Sequence, residues 1–251
     1  MNLFRDKSQN KQMITKIYDS FNPIFLKFCY FIIATVLISC RGDVAKKENT
    51  EEVKTTEGVA TEKTDAKKIL FFGDSLTAGY GLDDVNDAYP ALIQSTIDSL
   101  GLDYTVINSG VSGETSAGGK SRIGWVLKQK VDVFVFVLEL GANDGLRGIP
   151  LVETKANLQS IIDTVKEKMP EATIILAGME LPPNMGPEYT SEFRTVFSDL
   201  ASENKLTFIP FILKDVGGVV ELNQADGIHP TVEGHKIVAK TVWAALNKVI
   251  Q

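Results

Sequence analysis

From residue 68 to the C terminus, short stretches packed with branched aliphatic and aromatic side chains alternate with stretches of helical periodicity. Residues 69–72, 104–107, 131–138 and 172–177 are dense in Val, Ile and Phe, with little polar alternation. That is the pattern of strands covered on both faces, as in a parallel sheet. Residues 206–211 form a weaker fifth candidate, broken by Pro210. Between the strands, Leu158, Ile161, Ile162 and Val165 share one helical face, with Pro150 near that helix's start. Val238, Val242, Ala245, Leu246 and Val249 keep the three-and-four spacing of a single buried stripe. Such alternation puts helices on both sides of one sheet, and roughly 180 residues suffice for one domain of this kind. Trp125 and Trp243 fall in helical patterns and are expected in the core.

In open parallel sheets, ligands bind beyond the carboxyl ends of the strands, near the point where strand order reverses. Ser75 follows the first strand and Asn143 the third. If the order is flavodoxin-like, those strands are neighbours and both residues reach one crevice.

Composition narrows the chemistry. Nothing in a net charge of −6 suggests nucleic acid as a partner, since that usually demands a basic face. Cys29 and Cys40 both precede the folded body, which therefore has no disulfide, thiol nucleophile or thiolate metal site. His229 and His235 are the only histidines, and no His-Glu-x-x-His helix exists, so neither a metal nor another cofactor is expected.

The first forty residues read as a targeting segment. Arg5, Lys7, Lys11, Lys16 and Lys27 precede an apolar run over residues 28–38, too short to span a bilayer comfortably but suited to a signal-peptide core. It ends at Leu37-Ile38-Ser39-Cys40, which resembles a bacterial lipobox with Cys40 as the lipidated residue. An uncleaved anchor helix is the alternative. Residues 41–67 are mostly Lys, Glu, Thr, Asp and Ala and are expected to be a solvated tether. Either reading puts the body in a bacterial cell envelope, membrane-bound and facing the periplasm or exterior.

The reactive groups lie far apart in the chain. Ser75 sits in a turn directly after the first strand, and Asp226-Gly227-Ile228-His229 lies near the other end. A serine hydroxyl needs a base to take its proton during attack. His229 can serve, with Asp226 accepting from its Nδ1–H to fix the tautomer. His235, at the start of the last helical pattern, is expected to be exposed or structurally bonded. Acyl transfer also needs donors aimed at a developing oxyanion. The Ser75 N–H, the Gly113 N–H and the Asn143 amide are candidates. Gly118-Gly119-Lys120-Ser121 looks like the end of a phosphate-binding loop, but Glu114 stands where that loop needs glycine, so these glycines are expected to ease a helix start. Thr77 replaces the second glycine of a Gly-x-Ser-x-Gly elbow, which argues against an α/β-hydrolase fold.

Gly73-Asp74-Ser75-Leu76, Gly113, Gly141-Ala142-Asn143-Asp144 and Asp226-Gly227-Ile228-His229 appear in the order of the four blocks of GDSL (SGNH) hydrolases. The chain resembles that family, and within it the bacterial acyl-CoA thioesterase/lysophospholipase (arylesterase) group, from residue 68 to the end. The resemblance implies a three-layer flavodoxin-like α/β fold around a five-stranded parallel sheet. It implies Ser75 as nucleophile, Asp226 and His229 as triad partners, and an oxyanion hole from Ser75, Gly113 and Asn143. The expected activity is hydrolysis of acyl esters, aryl esters or lysophospholipids among them, and of thioesters. A small acyl-ester or lysolipid substrate and a membrane are the expected partners, with no obligate protein partner. Residues 181–189 are expected to wall the acyl pocket. A non-catalytic ligand-binding lipoprotein and a carbohydrate deacetylase of the same fold are the rival readings.

Overall fold

The computed structural model describes residues 66–128 and 132–251. Cys40, the targeting segment and nearly all of the 41–67 tether lie outside the described residues.

Five parallel strands form the sheet: β1 (Lys67–Gly73), β2 (Tyr104–Gly110), β3 (Val133–Glu139), β4 (Thr173–Ala177) and β5 (Thr207–Ile209). Their order is β2-β1-β3-β4-β5. The fifth strand is only three residues long. Pro210, which has no N–H to give to a ladder, ends it.

The helices follow from that order. A short helix α1 (Ser75–Ala78) caps β1, and α2 (Tyr89–Ser99) connects β1 to β2. The chain then reverses direction across the sheet through α3 (Ser116–Leu127). After β3 come a short α4 (Ala142–Leu146) and α5 (Leu151–Lys168); α6 (Pro187–Asn204) joins β4 to β5, and α7 (Val232–Ile250) ends the chain. Right-handed crossovers running in opposite directions from β1 put α2 on one face and α3, α5 and α6 on the other. Accordingly α2 packs on α7, while α5 packs between α3 and α6.

Strand alternation fills both interfaces. Phe71 meets Tyr89 of α2 edge-on at 5.5 Å, whereas Phe72 faces the other layer beside Phe136 at 5.6 Å. The helix stripes read from the sequence are buried: Leu158, Ile161, Ile162 and Val165 in α5, and Val238, Val242 and Leu246 in α7. Trp243 packs partly buried against the core. Trp125 does not: it is 65% exposed, because α3 turns Gly119, Ile123, Val126 and Leu127 inward instead. Nor does Gly119 merely ease the helix start. A Cβ there would run into Leu140 and crowd Phe72 and Ile161, so its lack of a side chain lets α3 lie close to the sheet.

His235 is buried at the start of α7. Its ring stacks on Tyr89 at 6.3 Å, and its Nδ1 accepts from the Tyr89 N–H at 3.2 Å. Burial, helped by the nearby His229, pushes its pKa from 6.5 down to about 4.

Two stability measurements check this packing. Gly124→Ala, where a Cβ meets nothing within 4 Å, should stabilise α3 by about 0.5–1 kcal/mol in urea unfolding. Gly119→Ala should lack that gain and move the midpoint the other way. For His235, the unfolded chain takes up a proton near 6.5 and the folded chain only near 4. Stability should therefore fall as pH drops through that window, and a His235→Gln variant should show a shallower fall.

Candidate active site

Strand pairing sets the geometry. Gly73 at the end of β1 lies in register with Gly110 of β2 on one side and Glu139 of β3 on the other. The loops that follow these three strands therefore leave the sheet side by side. A Cβ on Gly73 would run into Thr77 and Glu139, so glycine allows β1 to turn straight into α1. Asp74 caps that helix, its Oδ1 accepting from the Leu76 N–H at 3.1 Å. Ser75 is thereby held at the first position of α1, at the sheet's carboxyl edge.

His229 comes from the long loop after β5. Asp226 shapes the turn itself: its Oδ1 accepts the N–H groups of Ile228 and His229, each at 3.0 Å. Gly227, at φ 75°, supplies the left-handed residue this turn needs. The other oxygen of Asp226 lies 2.7 Å from His229 Nδ1, and His229 Nε2 lies 2.8 Å from Ser75 Oγ across 154 residues of chain. Partial burial pushes the Asp226 carboxyl up, but hydrogen bonds from the His229 ring and the two N–H groups outweigh it and hold the pKa at about 2. That carboxylate is an acceptor only, so in the neutral tautomer of the ring Nδ1 carries the proton and Nε2 faces Ser75 as an acceptor.

Gly113, at φ 77°, lies in the loop between β2 and α3, and Asn143 lies in α4. Both line the same cavity as Ser75, Asp226 and His229, a cleft of about 690 Å³. Leu146, Met179, Leu181, Pro182, Phe211 and Ile228 make up much of its apolar lining. The expected 181–189 wall is shorter than read from the sequence. Leu181, Pro182 and Pro183 line the cleft, but α6 begins at Pro187 and takes Tyr189 into the helix. Tyr189 Oη instead donates to the Gly145 carbonyl at 3.3 Å.

Several supporting residues escaped the sequence reading. Gln224 Nε2 donates to the Tyr80 and Pro230 carbonyls at 2.8 and 2.9 Å, tying the loop after Ser75 to the loop that carries His229. The Tyr80 ring lies 4.7 Å from the His229 ring. Arg122 Nε grips both oxygens of Glu114, its Nη2 donates to the Ser109 carbonyl at 2.9 Å, and its guanidinium covers Phe72 at 3.8 Å. That clamp anchors the loop around Gly113. Asp144 is fully buried, accepting from Ser116 N and Oγ, so α3 and α4 are joined beneath the cleft.

Beneath Ser75 lies a buried acidic pair. Glu139 Oε2 accepts from Thr77 Oγ1 at 2.7 Å and from the Asp74 N–H at 3.3 Å, while its Oε1 has no hydrogen-bond partner among the described residues. Burial, reinforced by Asp74, pushes the Glu139 carboxyl well above its ordinary range. Burial also raises Asp74 to about 6, against the pull of hydrogen bonds from Leu76 and Asn143. Among the described residues, no group of His, Cys, Asp and Glu side chains could hold a metal ion.

Against known proteins, residues 71–237 match the model of the GDSL-like lipase/acylhydrolase family. The chain is 38% identical over 190 residues to esterase TesA of Pseudomonas aeruginosa, covering 76% of this chain and 92% of that one. It is 34% identical to an arylesterase of Vibrio mimicus (73% and 90% covered) and 36% identical to the thioesterase 1/protease 1/lysophospholipase L1 of Escherichia coli K12 (72% and 82% covered). In three dimensions it superimposes on esterase EstA from Pseudoalteromonas sp., solved inhibited by monoethylphosphonate, with a TM-score of 0.68 at 31% identity, covering 72% of this chain and 97% of that one. With a family model spanning most of its folded body and relatives above one-third identity, this chain belongs to the GDSL-like lipase/acylhydrolase family and is a serine ester hydrolase.

Proposed function

We propose that the chain is a membrane-tethered esterase that cleaves carboxylic acyl esters through Ser75, His229 and Asp226. The continuous hydrogen-bonded chain from Ser75 Oγ through the His229 ring to Asp226, at 2.8 and 2.7 Å, carries this reading. In the first half of the reaction, Ser75 Oγ attacks the acyl carbonyl while its proton passes to His229 Nε2. Asp226 stabilises the imidazolium that forms. The N–H groups of Ser75 and Gly113 and the Asn143 amide receive the negative charge on the former carbonyl oxygen. His229 then hands its proton to the leaving oxygen, and the acyl group stays on Ser75. Water, deprotonated by His229, attacks that ester, and collapse returns the proton to Ser75 and releases the acid.

The cleft supports an acyl substrate. Its apolar lining can shield a hydrocarbon chain, since burying each methylene gives about 0.8 kcal/mol. Aryl esters and lysophospholipids are the substrates we assign, in line with the names of the arylesterase and lysophospholipase relatives. Thioesters belong to the same chemistry, because the attack and the oxyanion are alike. The tether is assigned from Leu37-Ile38-Ser39-Cys40, with Cys40 as the lipidated residue. A bacterial cell envelope is the corresponding location.

Ser75→Ala should abolish turnover of an aryl acyl ester and labelling by a fluorophosphonate probe, with the circular dichroism spectrum unchanged. Wild-type turnover in that variant would falsify the assignment, and a ligand-binding lipoprotein would take its place if the wild-type chain also resisted the probe. For the tether, labelled palmitate should enter the wild-type chain expressed in bacteria but not Cys40→Ala. Equal incorporation in both would move the attachment away from that cysteine.

A further inference from the structure

Arg147 follows Asn143 by four residues, one helical turn, and its side chain reaches back over it. Its Nη2 donates to Asn143 Oδ1 at 3.2 Å and to the Gly113 carbonyl at 2.9 Å. At the opposite end of the same amide, Asn143 Nδ2 donates to Asp74 Oδ2 at 3.1 Å. A primary amide can turn by 180° with almost no change in shape, so only its surroundings choose which end is the donor. Here a turned amide would aim its oxygen at the Asp74 carboxyl and its NH₂ at a guanidinium. Both contacts would be unfavourable. The arrangement seen satisfies both ends and leaves the second Nδ2–H for the cleft that Asn143 lines.

We propose that Arg147 is a positioning residue for ester hydrolysis: from outside the cleft, anchored on the Gly113 carbonyl, it holds the Asn143 amide with its N–H inward. The proposal rests on reading Gly113 and Asn143 as donors to the oxyanion. One side chain then aims the Asn143 donor while bonded to the residue that carries the Gly113 donor, so loops following different strands are joined at the site. The benefit is preorganisation, since donors already aimed at the developing charge need no rearrangement as the reaction proceeds. Arg147 lies on the exposed side of these groups and does not reach the reacting atoms, so it acts through them. Lysine can supply the charge and reach one of the two carbonyls, but it lacks the planar fork.

The test uses the full-length chain with an aryl acyl ester, comparing Arg147→Met, Arg147→Lys, Asn143→Ala and the Arg147→Met/Asn143→Ala double variant. Loss of a whole oxyanion donor costs about 10²–10³ in kcat, so loss of aim should cost about 10- to 100-fold in Arg147→Met, with KM changed less than about threefold. Affinity for a trifluoromethyl ketone, which binds as a tetrahedral adduct, should fall by a similar factor, and Arg147→Lys should recover part of both losses. In the Asn143→Ala background, the Arg147→Met loss should shrink to under about threefold, because the group it aims is gone. Wild-type kcat in Arg147→Met would overturn the proposal. So would equal losses in the two backgrounds, or a loss of kcat with unchanged affinity for the ketone. Fluorophosphonate labelling separates the two claims. A wild-type chain that resists the probe removes the hydrolytic site itself, whereas a labelled wild type with an indifferent Arg147 removes only the positioning role.

Discussion

Parallel pairing of β1 with β3 is the constraint on which the site depends. Because β2 lies on the other edge of β1, the chain must reverse its direction across the sheet after β2, and a cleft opens where the order turns. In-register pairing brings Gly73 level with Glu139, so the serine loop and the asparagine helix emerge together. The hydrogen bond from Asn143 to Asp74 follows from that alignment. The His229 loop reaches the same edge from β5 and is fastened there by Gln224 rather than by strand pairing.

Under Ser75, the molecule accepts a local cost. Two carboxyl groups, Asp74 and Glu139, are buried within a network that also holds Thr77 and Tyr89. Burial favours their neutral forms, and Asp74 further raises Glu139, so both pKa values move up. Such a pair contributes stability that is present at low pH and is lost as pH rises through the folded pKa values, opposite in sign to the His235 contribution. What the network supplies is definition. Glu139 fixes Thr77 and the backbone of Asp74, and Asp74 fixes both the start of α1 and one end of Asn143. A serine on a four-residue helix is thereby held from beneath.

Much of the fold was legible because its signals are local and repetitive. Strands buried on both faces must be continuously apolar, and helices covering them must carry a stripe at helical spacing; β1, β3, β4, α5 and α7 each show this plainly. The short β5 was the faintest, as expected of a strand stopped by Pro210. Trp125 misled because aromatic content marks burial only on average. Gly119, two positions before Ser121 in what looked like a phosphate loop, proved to be a packing position whose role depends on Leu140 and Phe72, residues distant in sequence.

The sequence by itself determined the chemistry on offer: one serine in a tight turn after an apolar strand, one Asp-x-x-His turn, an asparagine after the third strand, and no thiol in the folded body. Reactive groups are few and lie in short motifs, so they can be read without coordinates. Only the tertiary structure decided how those motifs meet and what holds them. The contact from Ser75 to His229, the Gln224 tie and the hydrogen bond from Asn143 to Asp74 all join segments whose separation along the chain carries no information about their distance in space. Hydrogen bonds of that kind are set by strand order and loop docking, which a linear pattern of residues does not encode locally.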